Sequence, residues 1–163
     1  MSQKGLVIVY TGGGKGKTSA ALGLVLRAVG YNHKVCMVQF VKGSWHYGEL
    51  DSAKRLAPEF ELITAGKGFV GILDDKSPRE EHVKAANDTL AISKEKIMSG
   101  KFNVVILDEI NYAVQLELLK IDDVIDLIKS KPPELDLVLT GNHAAKEVIE
   151  IADLVTEMKE IKH

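Results

Sequence analysis

Cysteine, arginine and long apolar runs are all scarce in this sequence. The one cysteine, Cys36, excludes a disulfide within the chain. Its place in the apolar run KVCMVQF indicates a core residue rather than a reactive thiol, and we expect a reducing, cytoplasmic setting. No apolar run approaches the length of a membrane span, and the first one is too short for a signal peptide. We therefore expect neither a membrane protein nor a secreted one.

The scarcity of arginine bears on possible partners. Basic residues number 21 against 23 acidic ones, and the only arginines are Arg27, Arg55 and Arg79. This balance leaves no stripe of positive charge for a phosphate backbone, so we expect no nucleic-acid partner. A length of 163 residues with 45% hydrophobic residues predicts one domain, spanning residues 1–163, with its own core.

Short apolar runs alternate with amphipathic segments along the chain. Strand-like runs are predicted at 6–10, 35–40, 60–64, 104–107, 135–139 and, more weakly, 154–158. Helical segments are predicted at 19–30, 49–57, 78–99, 112–119, 123–129 and 144–152. This alternation predicts an α/β fold with a mostly parallel sheet and helices on both faces.

The longest of these helices carries a start and a stop signal. Ser77 is predicted as the N-cap, Pro78 as the first helical residue and Glu80 as the partner in a capping box, and Gly100 ends the helix.

The stretch TGGGKGKTS, residues 11–19, joins the first predicted strand to the first predicted helix. It approaches the phosphate-binding pattern G-x-x-x-x-G-K-[ST], although Thr11 stands where that pattern has its first glycine. Unpaired N–H groups at a helix start bind phosphate, and Lys17 adds a positive charge. We predict ATP binding by the residues of this loop: Gly12, Gly13, Gly14, Lys15, Gly16, Lys17, Thr18 and Ser19.

An acidic pair, Asp108 and Glu109, follows the apolar run VVIL. Carboxylates at the end of a strand hold Mg²⁺ opposite the hydroxyl of a phosphate loop, here Thr18, as a Walker B motif does. The predicted metal ligands are therefore Thr18, Asp108 and Glu109, binding Mg²⁺ or Mn²⁺. Together the two motifs predict a P-loop NTPase-like, RecA-like domain.

Residue chemistry alone favours an ATPase or a small-molecule kinase with Glu109 polarising water. None of the three arginines follows a predicted strand, however, and phosphoryl transfer commonly recruits an arginine. The turn after the second strand carries Trp45, His46 and Tyr47, which suit a flat ring system, a subunit interface or ordinary packing. Phe69, between glycines in a later loop, is either exposed for a ligand or packed inward.

Four segments together resemble the ATP:corrinoid adenosyltransferases, the cob(I)yrinic acid a,c-diamide adenosyltransferase family of vitamin B12 metabolism. They are TGGGKGKTSAALG, VQFVKG, VVILDEINYA and LTGNHAAKEVIEIADLVTEMKEIKH. The resemblance implies that ATP and a corrinoid reduced to Co(I) are substrates and that the 5′ carbon of ATP is attacked with release of triphosphate. It also implies a flavoprotein-type electron donor and a homodimer.

Residue roles follow from the same resemblance. Lys17 and Glu109 are the implied catalytic residues, Lys17 on phosphate and Glu109, beside Asp108, on the metal. The implied corrinoid-binding residues are Lys42, Trp45 and Phe69. The short loop with Thr11 matches a family in which ATP binds in the reverse of the usual orientation.

Three departures qualify the resemblance. Gly71 replaces a tryptophan that displaces the lower cobalt ligand, and Asn142 stands where many relatives have arginine. The sequence also begins at the first strand, without the N-terminal helix of some relatives, which implies looser corrinoid binding. A Mg-dependent ATPase or kinase and a non-catalytic nucleotide- or corrinoid-binding protein remain the alternatives.

Overall fold

In the part of the chain that the structure describes, six strands and six helices largely alternate. The structure is a computed structural model that describes residues 3–41, 45–65 and 78–163. The strands are β1 (Val7–Thr11), β2 (Val35–Gln39), β3 (Phe60–Thr64), β4 (Val104–Asp108), β5 (Asp136–Thr140) and β6 (Leu154–Glu157). The helices are α1 (Lys17–Gly30), α2 (Gly48–Arg55), α3 (Arg79–Met98), α4 (Ile110–Gln115), α5 (Ile121–Lys129) and α6 (Lys146–Ile151).

The strands form one sheet in the order β3-β2-β4-β5-β1-β6. All of the pairings are parallel, with Gln39 opposite Asp108 between β2 and β4, and Tyr10 opposite Thr140 between β1 and β5. The parallel sheet predicted from the apolar runs is thus confirmed. The carboxyl ends of β1, β2, β4 and β5 meet at one edge, where ligands bind in open parallel sheets.

Helices cover both faces of the sheet, as predicted. On one face α1 and α2 pack against alternate strand residues such as Met37 and Ile106. On the other face α3, α4, α5 and α6 pack against the intervening residues, such as Val38 and Leu107. The central strands β2 and β4 are buried along their whole length because both of their faces are covered.

The helix boundaries lie within two residues of the predicted ones, except that α4 ends at Gln115, four residues before the predicted end. The predicted capping of α3 is wrong, because its first helical residue is Arg79 and its N-cap position is taken by Pro78. Pro78 is therefore not the first helical residue, because its ψ of 149° is extended rather than helical. The predicted cap, Ser77, lies outside the described residues.

Cys36 lies in β2 with 0% of its surface exposed, which confirms it as a core residue. Burial, with the nearby Glu61 carboxylate as a second cause, raises the pKa of its thiol from 9.0 to about 12. The unfolded chain loses this proton at lower pH than the folded protein does, so the thiol's contribution to stability is complete below the unfolded pKa and is lost above it.

Stability is therefore expected to fall between about pH 9 and pH 12 by up to about 4 kcal/mol more in the wild type than in Cys36→Ala. Urea unfolding of both proteins across this range measures the difference. An equal loss in the two proteins would contradict it, because Cys36→Ala has no thiol to ionise.

Among the helices in the described ranges, none combines the length and the apolar character needed to cross a bilayer.

Candidate functional site

The glycine-rich loop occupies the turn between β1 and α1. Gly12 and Gly16 have φ values of 100° and 112°, a backbone region that favours glycine. Gly16 is the N-cap of α1, and the first turn of that helix, residues 17–20, holds no acidic residue. The loop therefore presents a helix start with unpaired N–H groups and no nearby carboxylate on its own helix, as an anion site requires.

Lys17 is the first residue of α1, and its ammonium group turns back over the loop. Its Nζ donates hydrogen bonds of 2.8 Å to the carbonyl oxygens of Gly12 and Gly14. The positive charge of Lys17 thus lies inside the turn, close to any phosphate that binds there. Lys15 and Ser19 are exposed at the rim of the same turn, and Gly13 is exposed at its tip.

Asp108 ends β4 and is completely buried. Its Oδ1 accepts hydrogen bonds from Thr18 Oγ1 at 2.9 Å and from Thr140 Oγ1 at 2.8 Å. Its Oδ2 accepts a longer bond of 3.3 Å from Gln39 Nε2. The fold therefore brings Thr18 and Asp108, which are far apart in sequence, into direct contact beside the loop.

Glu109 is half-buried and follows directly, at the N-cap position of α4. Its φ of 64° is uncommon for a residue other than glycine and costs about 1–3 kcal/mol. The Glu109 N–H donates a bond of 2.9 Å to Thr140 Oγ1, which helps to hold this conformation. Strained backbone of this kind concentrates at functional sites.

The oxygen atoms around Asp108 fit a magnesium ion. Carboxylate and hydroxyl oxygens are hard ligands, and Mg²⁺ in nucleotide sites takes one or two protein carboxylates together with phosphates and water. In the described part of the chain no three His, Cys, Asp or Glu side chains cluster as a metal cage. Thr18 and Asp108 have the hard oxygen ligands that a magnesium ion bound to a nucleotide would take.

Two polar residues of this site were not identified from the sequence. Gln39 and Thr140 are the last residues of β2 and β5, where each follows a run of apolar residues, and both contact Asp108. Gln39 Nε2 also lies 3.3 Å from Glu49 Oε1, so it connects the start of α2 to the buried carboxylate. The sequence signal that could have identified both residues is a polar side chain at the end of an apolar run, because the carboxyl ends of parallel strands meet at the edge where Asp108 lies.

Thr140→Val is expected to lower the free energy of unfolding by about 1–3 kcal/mol, because valine keeps the shape but removes the hydroxyl that serves both Asp108 and Glu109. Thr140→Ser retains that hydroxyl and should recover part of the loss. Urea unfolding measures both variants. A serine variant as unstable as the valine variant would show that the methyl group, not the hydroxyl, matters.

The residues implied for corrinoid binding are only partly described. Lys42 and Phe69 lie outside the described residues, as does Gly71. Trp45 lies between β2 and α2 with 58% of its surface exposed. Asn142, in the segment after β5, has a buried Oδ1 for which the described part of the chain provides no hydrogen-bond partner.

Comparison of the sequence with known protein families identifies the family to which the chain belongs. The sequence model described as "ATP:corrinoid adenosyltransferase BtuR/CobO/CobP" matches residues 3–163. The chain belongs to the ATP:corrinoid adenosyltransferase family. The resemblance inferred from the sequence motifs is thereby confirmed.

Individual members of the ATP:corrinoid adenosyltransferase family match over almost all of this chain. The corrinoid adenosyltransferase of Escherichia coli strain K12 is 33% identical over 161 residues, which cover 99% of this chain and 80% of the relative. The corrinoid adenosyltransferase of a Sinorhizobium species is 37% identical over 163 residues, covering 99% of this chain and 75% of the relative.

Solved structures support the fold of this family member at lower sequence similarity. The flagellar accessory protein FlaH of Methanocaldococcus jannaschii aligns with a TM-score of 0.58 at 15% identity, covering 94% of this chain and 71% of FlaH. The KaiC-like protein PH0186 of Pyrococcus horikoshii aligns with a TM-score of 0.52 at 14% identity, covering 98% and 75%. These likenesses confirm the predicted α/β fold.

Proposed function

We propose that this enzyme transfers the 5′-deoxyadenosyl group of ATP to the Co(I) centre of a reduced corrinoid and releases triphosphate. Membership of the corrinoid adenosyltransferase family supports the adenosylation of a corrinoid. The observation that carries the proposal is the contact between Thr18 and Asp108 beside the lysine-bearing loop, in a chain of this family. That contact supports the proposal because it would bring the proposed phosphate site and the proposed metal site together at one edge of the sheet.

The proposed reaction is a single displacement at carbon. The electron pair of Co(I) attacks C5′ of ATP and forms the Co–C bond, while the C5′–O bond breaks. The pair from that bond leaves with triphosphate, and the cobalt becomes formally Co(III). Because the corrinoid is itself a strong nucleophile, the protein has to position the substrates and neutralise charge rather than transfer protons.

The residues of the loop suit the departing triphosphate. The Lys17 ammonium and the N–H groups at the start of α1 would bind its negative oxygens. Asp108 and Thr18 would hold Mg²⁺ or Mn²⁺, with Glu109 beside them, and the ion would supply further positive charge to the phosphates. We assign Lys17 and Glu109 as the catalytic residues and the loop from Gly12 to Ser19 as the ATP site.

Corrinoid binding and electron supply complete the proposal. Lys42, Trp45 and Phe69 are the proposed corrinoid contacts, and the exposed ring of Trp45 is available for such a contact. A flavoprotein-type donor would reduce the cobalt, and the enzyme would act as a homodimer. A cytoplasmic location, inferred from the reduced cysteine, fits such a donor.

The test combines the protein with MgATP and chemically reduced cob(I)alamin and follows the absorbance change that accompanies Co–C bond formation. Product analysis then identifies the leaving group. Triphosphate supports displacement at C5′, whereas ADP would indicate the ATPase or kinase alternative. Binding of both substrates without any product above the enzyme-free control would indicate a non-catalytic binding protein.

A further inference from the structure

The chain segment after β6 lies directly against the phosphate loop. The Met158 N–H donates a bond of 2.7 Å to the Thr11 carbonyl, and the Gly14 N–H donates a bond of 2.7 Å to the Met158 carbonyl. These two bonds extend the parallel pairing of β1 and β6, in which Thr11 lies opposite Glu157, beyond the end of the strands. We call residues 158–160 the tail segment.

The tail segment fills the space that side chains in the loop would need. A Cβ atom at Gly12 would lie 2.4 Å from the Met158 carbonyl oxygen. One at Gly14 would lie 2.8 Å from the same oxygen and 2.9 Å from Glu160 N. At Gly13 and Gly16 nothing lies within 4 Å. Two of the four loop glycines are therefore required by the tail segment, irrespective of any ligand.

The bond from Gly14 also affects how phosphate binds. In phosphate loops successive backbone N–H groups point at the anion and supply much of its binding. Here the N–H of Gly14 is already satisfied by Met158, so phosphate contacts fall on the other N–H groups of the loop and on Lys17.

We propose that the tail segment is part of the ATP site. Its backbone holds the phosphate loop in its binding shape, and by engaging the Gly14 N–H it determines where along the loop the triphosphate lies. This inference depends on one part of the proposed function, namely that the loop binds ATP, and does not depend on adenosyl transfer. It makes residues 158–160 positioning residues, because they act through the loop.

Two variants disturb the contact between the phosphate loop and the tail segment, one by a change in the loop and one by a change in the tail segment. Gly14→Ala places a methyl group against the tail backbone, and Met158→Pro removes the N–H that bonds to Thr11. Both are expected to weaken binding of ATP and of inorganic tripolyphosphate by about tenfold and by the same factor, since the altered contacts lie in the phosphate cradle. Isothermal titration at a temperature where circular dichroism shows folded protein measures both affinities.

Comparison variants sharpen the result. Lys162→Pro, two residues past the tail segment, should bind as the wild type does, and Gly13→Ala should lose less affinity than Gly14→Ala. Wild-type affinities in both Gly14→Ala and Met158→Pro would overturn the proposal, as would a loss for ATP alone. If the wild type binds neither probe, the proposed function fails instead.

Amide exchange in the unaltered protein gives a second, independent measurement. The Gly14 N–H should exchange slowly with and without MgATP, because Met158 protects it in both cases. The N–H groups of Lys15 and Lys17 should gain protection only when MgATP is present. Protection of Gly14 that depends on MgATP would overturn the proposal even if the variants fail to fold.

Discussion

Lys17→Met is expected to reduce adenosyl transfer by about 100-fold to 1,000-fold, because it removes a preorganised positive charge from the triphosphate. Methionine retains most of the side-chain volume, so the loop loses the bonds to Gly12 and Gly14 but little packing. Initial rates with saturating MgATP and reduced cob(I)alamin measure the effect, and ATP titration measures the accompanying loss of affinity.

Lys129→Met is the matched control for this experiment. Lys129 is an exposed lysine in the last turn of α5, and no role at the site is proposed for it. The control should retain wild-type rates. Activity of Lys17→Met within about twofold of that control would refute the assignment of the loop as the triphosphate site.

Asp108→Asn should weaken binding of the divalent ion by about 100-fold or more, since it removes the buried carboxylate charge while keeping the side-chain shape. The amide also disturbs the bonds that Asp108 accepts from Thr18 and Thr140. Mn²⁺ serves as the probe, because electron paramagnetic resonance reports the free ion, and a titration of ATP without protein accounts for the Mn²⁺ that ATP itself binds. This measurement does not depend on turnover.

Asp126→Asn, on the exposed side of α5, is the matched control for charge. It should bind Mn²⁺ as the wild type does. If Asp108→Asn retained wild-type Mn²⁺ affinity in the presence of ATP, the ion would have to be held elsewhere. The proposed pairing of Asp108 with Thr18 as metal ligands would then be wrong.

Local signals were enough to predict the elements of this fold. The run VVIL, for example, predicted β4 because a strand buried on both faces needs continuous apolar residues. The capping signal at Pro78 was misplaced by one residue, since cap positions depend on backbone angles that residue types only favour. The order of strands in the sheet was not predicted, because it depends on contacts between distant segments.

The same distinction applies to the site. The loop and the acidic pair have spacings that can be read locally, so Lys17, Thr18 and Asp108 could be predicted as site residues, and the structure brings Thr18 into contact with Asp108. Thr140 and Gln39 were missed because their importance comes from sheet order, which places the ends of β5 and β2 beside that of β4. The docking of the tail segment on Gly14 was missed for the same reason.

The position of β1 in the sheet has a consequence for folding order. β1 precedes the other five described strands along the chain, yet its two neighbours in the sheet, β5 and β6, are the last two of the six. Contacts between such distant segments form only after a large loss of chain entropy, and during translation they must wait for the later strands. A nascent chain that carries the complete glycine-rich motif therefore still lacks a finished nucleotide site. ATP binding can therefore stabilise the folded chain only after β6 has paired with β1.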